Sequence, residues 1–123
     1  MKLTEEAKKD TPSRFPDHEQ LLLLSLKLSD SDMGTSEDED YVETIEQKLI
    51  EKVEELDFAL WDGHEYGGGY AKVFLYTSDV DKLYKTIYST LKNINFTPGS
   101  LIILQYKHKE LDHFIIDPNK LPD

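Results

Sequence analysis

The chain has 123 residues, no cysteine, and a net charge of −11 from 14 basic and 25 acidic residues. That length suits one domain with its own core, the missing thiols exclude disulfides and thiolate metal sites, and the acid excess has the wrong sign for direct binding to a nucleic-acid backbone. No apolar run is longer than that of Leu21 to Leu24, which is too short to enter a membrane as a span, and Met1 to Glu6 lacks the apolar centre of a signal peptide, so a cytoplasmic protein is expected.

Residues 1–17 read as a flexible polar tail with Pro12 and Pro16 and no hydrophobic period. One α+β domain follows over 18–123. Glu19 to Ser29 reads as a strand: Leu22, Leu24, Leu26 and Leu28 share one face, and Leu21, Leu23, Ser25 and Lys27 the other. Leucine also suits helices, but the alternation of Leu with Lys27 and Ser29 favours a strand. After a loop over Asp30 to Ser36, Ser36 and Glu39 fit a capping box. A helix from about Glu37 to Glu55 carries Val42, Ile45, Leu49, Val53 and Leu56 on one stripe. Asp57 to Asp62 is a short strand and Tyr70 to Thr77 a stronger one. Ser78, with Asp81 three residues on, caps a second helix with the stripe Val80, Leu83, Ile87, Leu91 and Ile94. Thr97-Pro98-Gly99 turns the chain into a strand over Ser100 to Tyr106. Lys107 to Leu111 is a polar turn, and Asp112 to Asp117 a short fifth strand at an edge. The order predicts a ferredoxin-like βαββαβ sandwich, with two helices on one face of an antiparallel sheet.

Between the two middle strands lies Asp62-Gly63-His64-Glu65-Tyr66-Gly67-Gly68-Gly69. Its glycines suit either a bulged, twisted hairpin that needs positive φ, or a small ligand pocket with Asp62, His64 and Glu65. It is neither a Walker loop nor a dinucleotide fingerprint, because no Gly-Lys-Ser/Thr follows and a strand stands where a helix is required. His64 and Glu65 would face opposite sides of a strand, which weakens them as paired metal ligands. His108, Glu110, Asp112 and His113 form a second polar cluster, whose spacing matches no zinc site and suits a solvated turn. No serine sits in a nucleophile elbow. No catalytic residue, metal or cofactor is therefore expected.

The charge is concentrated. Asp30 to Asp57 holds twelve acids against Lys48 and Lys52, nearly the whole net charge. Such a face attracts basic partners, and it also suits a plain solvated helix. Trp61, Tyr66 and Tyr70 flank the glycine hairpin, and Tyr41, Tyr84 and Tyr88 lie beside the predicted stripes. Tyr and Trp are enriched at protein interfaces, and also at the rim of a core.

The hairpin residues Asp62 to Gly69, the Val73-Phe74-Leu75-Tyr76 strand, Asp79-Val80-Asp81-Lys82-Leu83 and Pro98-Gly99-Ser100 together resemble a group of small bacterial domains of uncertain function. That group has a similar Asp-Gly-x-Glu and glycine hairpin. The resemblance spans roughly Leu22 to Tyr106, implies the βαββαβ arrangement and transfers no activity. In build and acidity the chain is also similar to immunity proteins, which neutralise basic nuclease or other toxin domains.

The leading expectation is a small acidic inhibitor or immunity protein, not an enzyme, acting as a monomer or homodimer on a basic protein partner. Asp38, Glu39, Asp40, Trp61, Asp62, His64, Glu65 and Tyr66 are its expected partner-binding residues. An oligomeric ligand-sensing domain using the glycine hairpin is one alternative. A small enzyme using Asp62, His64 or Glu65 is another.

Overall fold

The computed structural model describes residues 20–29, 35–106 and 113–121. Within them lie strands β1 (Gln20–Lys27), β2 (Ala59–Gly67), β3 (Tyr70–Thr77), β4 (Leu101–Gln105) and β5 (His113–Ile116), helices α1 (Ser36–Val53) and α2 (Val80–Lys92), and a 3-10 turn at Pro118–Lys120. The five strands form one antiparallel sheet in the order β2-β3-β1-β4-β5. The α+β class and the two helices expected from the sequence are present. The predicted tail, and His108, Glu110 and Asp112 of the polar cluster, lie outside the described residues; His113 is exposed on β5.

Strand alternation sorts the side chains into two faces. Leu22, Leu24 and Leu26 of β1 lie opposite Leu75, Val73 and Ala71 of β3, and Leu22 and Leu24 also lie opposite Leu104 and Ile102 of β4. All are buried. The helices close this face with Val42, Ile45, Leu49 and Val53 from α1 and Val80, Leu83, Ile87 and Leu91 from α2. Leucine is a modest strand former, but β1 is paired on both sides and filled from above. Tertiary burial decides its conformation. On the opposite face Leu21, Leu23, Phe74, Tyr76, Leu101 and Ile103 are only partly covered.

Both helix caps sit one residue away from the positions read in the sequence. Thr35 caps α1, not Ser36: its extended backbone lets the side chain accept from Asp38 N, while the Asp38 carboxylate accepts from Thr35 N at 2.9 Å. Ser36 is already the first helical residue, so Glu39 falls one place beyond the box. Asp38 also accepts from the Ser29 hydroxyl at 2.6 Å, which ties the end of β1 to the start of α1. Asp79, not Ser78, caps α2 by accepting from Lys82 N at 3.0 Å. Gln20 Oε1 accepts from Val80 N at 2.7 Å, so β1 supplies a further acceptor for that helix end.

The glycine stretch is mostly strand. β2 continues through Asp62 to Gly67 instead of stopping at Asp62, because a bulge between Trp61 and His64 absorbs one extra residue, with Gly63 at φ 106°. The turn itself is only Gly68-Gly69, with φ of 63° and 83°. Two successive positive φ values match the twist of a two-residue hairpin. Leu28 N donates to Gly69 O at 2.9 Å, which fastens the tip to the chain leaving β1.

Candidate functional site

The β2 bulge decides which side chains meet α1. Trp61 lies opposite Leu75, His64 opposite Val73 and Tyr66 opposite Ala71, all rows that face the helices. With strict alternation from Trp61, His64 and Tyr66 would turn to the other face. The extra residue restores them to the helix side. From the other direction, Glu39, Glu43 and Glu46 recur at four- and three-residue steps along α1 and share one side of it.

Glu46 is at the centre. It is 5% exposed, yet it carries a carboxylate, and a buried charge demands partners. Oε2 accepts from Trp61 Nε1 at 3.0 Å and lies 2.8 Å from His64 Nδ1. An ionised carboxylate only accepts, so with Glu46 ionised the His64 hydrogen on this side is on Nδ1. His64 is 36% exposed in its side chain, and its ring meets Tyr66 edge-on, with centroids 5.2 Å apart. Among the described residues, Glu46 Oε1 has no hydrogen-bond donor.

The electrostatics agree with this layout. Partial burial raises the Tyr66 phenol pKa, and the fields of Glu39, Glu46, Glu43 and Asp38 raise it further. Tyr66 therefore lies in the field of four carboxylates. His64 meets it edge-on, and Trp61 lies further along the same face of β2; both are flat rings with polar edges. Such a seam suits a cation: carboxylates supply charge, and aromatic faces supply a second attraction for guanidinium or ammonium groups.

No protein-family model matches the chain, and no curated protein or solved structure matches it. The site therefore rests on its own chemistry.

The expected partner-binding residues divide into two groups. Glu39, Trp61, His64 and Tyr66 come together along the α1–β2 seam. Asp38 adds to the field at Tyr66, but its oxygens are occupied by the cap, and those hydrogen bonds, led by the one from Ser29, hold its pKa below the usual carboxylate value. Asp40 is exposed one residue further round α1, off the Glu39–Glu43–Glu46 line. Asp62 and Glu65 act on the other face, where burial raises the Tyr76 pKa and these two acids raise it further. The trio Asp62, His64 and Glu65 is thus split across the sheet.

Added Cβ atoms at Gly63, Gly67 and Gly68 would meet nothing within 4 Å. Backbone conformation at the bulge and turn explains Gly63 and Gly68, and no close approach does.

Sequence reasoning missed Glu43 and Glu46. A signal for Glu46 was present: Val42, Glu46, Leu49 and Val53 are spaced by four, three and four, so Glu46 occupies a stripe position.

Proposed function

We propose that this protein is a cytoplasmic immunity or inhibitor protein, a ferredoxin-like βαββαβ domain with a fifth strand appended, that binds a basic protein partner through the α1–β2 seam. The observation that carries this reading is the Glu46 carboxylate, buried between Trp61 and His64 and flanked by Tyr66, Glu43 and Glu39. A lysine or arginine of the partner would approach Tyr66 and the exposed edge of His64 and take the carboxylates of Glu39 and Glu43. The chain's acidic excess would steer the partner in from a distance, and Trp61 and Tyr66 would hold it once docked. Inhibition of this kind is steric and needs no chemistry from the inhibitor.

The test is capture of partners from native cells on immobilised wild-type protein and on Glu39→Lys/Glu43→Lys protein in parallel, followed by binding kinetics on whatever is recovered. A basic protein held by the wild type and lost by the variant supports the reading. Recovery of the same proteins by both, or of acidic proteins only, rejects it.

A further inference from the structure

The two edges of the sheet are built differently. β2, at one edge, carries a bulge, Gly63 and the acids Asp62 and Glu65. Those are the devices that keep an edge strand from pairing with another chain. β5, at the other edge, has the sequence His113-Phe114-Ile115-Ile116, with no acid or lysine and no bulge in its pairing with β4. Among the described residues no strand covers its outer side.

Phe114 and Ile115 are the large exposed apolar residues of the described chain, at 59% and 53%. They are consecutive, so they point to opposite faces of the sheet. Phe114 shares the helix face with Leu104, and Ile115 shares the other face with Ile103. A partner lying on either face would cover one of them. Only a strand arriving in the plane of the sheet flanks both.

We infer that β5 pairs antiparallel with β5 of a second copy of this chain, joining two five-stranded sheets into one of ten strands. The charges of the edge fit this occupant. A two-fold pairing centred on Ile115 sets Phe114 opposite Ile116 of the second copy and His113 opposite its Asp117. Each histidine then faces a carboxylate that already accepts from Asn119 N, and the contact is self-complementary and closed. In a chain of net charge −11, this acid-free strand is a place where two copies can meet without bringing like charges together. The α1–β2 seams would stand at the two outer ends of the joined sheet, since β2 and β5 are four strand spacings, or about 19 Å, apart in each copy. This arrangement does not depend on what the seam binds.

Sedimentation of the full chain from low to high micromolar concentration tests the pairing. The expected mass rises toward twice 14.3 kDa, and Phe114→Lys holds it at the single-chain value while thermal melting confirms that the variant is folded. Since the chain has no cysteine, Ile115→Cys should form one disulfide-linked dimer on mild oxidation. Glu39→Lys/Glu43→Lys should leave the mass unchanged, which separates this result from any failure of the seam to bind. A single-chain mass for the wild type at every concentration overturns the inference. So does a dimer that survives Phe114→Lys and is lost on Phe74→Lys, which would mean that the sheets pack face to face.

Discussion

The Nδ1 of His64 lies 2.8 Å from Oε2 of Glu46, across the seam between β2 and α1. The same oxygen accepts from Trp61 Nε1. Removing this acceptor leaves an indole N–H and an imidazole facing a gap, and a buried donor without a partner costs ~1–3 kcal/mol. Glu46→Ala should therefore lower stability by about that amount in urea melts, while Glu46→Gln, which keeps a carbonyl acceptor, should lose less. Trp61 is the single tryptophan, so its emission reports the local change directly. Equal loss in both variants would mean that packing, not the acceptor, is what matters.

The bulge makes a sharper prediction. Gly63 has φ 106°, a region that costs an L-residue about 1–2 kcal/mol. Gly63→Ala should be destabilising on that scale. Gly67→Ala, at a residue outside the positive-φ group with open space around its Cα, should stay within ~0.5 kcal/mol, as exposed substitutions do. Comparable melts for the two variants would remove conformation as the reason for Gly63.

In the core, Leu49 of α1 and Leu83 of α2 are fully buried. Truncating either to alanine should cost ~2–5 kcal/mol, the usual range for buried leucine. A loss below about 1 kcal/mol at both would contradict the helix faces described above.

The cap predicts a pH dependence. Hydrogen bonds from Ser29 and Thr35 lower the Asp38 pKa in the folded chain. A group whose folded pKa is depressed contributes stability that is fully present above its unfolded pKa, about 3.9 for aspartate, and is lost as pH falls through the lower folded value. Asp38→Asn should therefore flatten the stability profile below about pH 4 and leave its shape near neutrality unchanged. An unaltered acid limb would show that the cap does not supply this dependence.

Much of the architecture is legible in the sequence. The stripes of α1 and α2 and the alternation in β1 and β3 declare themselves by period, because each of these elements buries one regular face. What is not legible is what depends on a single residue of offset. Thr35 and Ser36 are equally good caps by type, and only the backbone angle separates them. One bulged residue turns His64 and Tyr66 onto α1, and no spacing rule announces it. Glu46 is one of twelve acids in its segment: its stripe position marks it as buried, but its partners are known only from where β2 places Trp61 and His64. For the same reason the capping role of Asp38 is not legible in the sequence, and charge reversal that leaves the cap intact belongs at Glu39 and Glu43.

The most direct measurement of the proposed function is an NMR titration of isotopically labelled protein with the basic partner recovered by capture. The prediction is that the largest shifts fall on the Trp61 indole N–H and on the amides of Glu39, Glu43, His64 and Tyr66, and that raising salt from low to physiological strength weakens the complex. Shifts centred instead on α2, or on Asp62 and Glu65 across the sheet, with no dependence on salt, would contradict it.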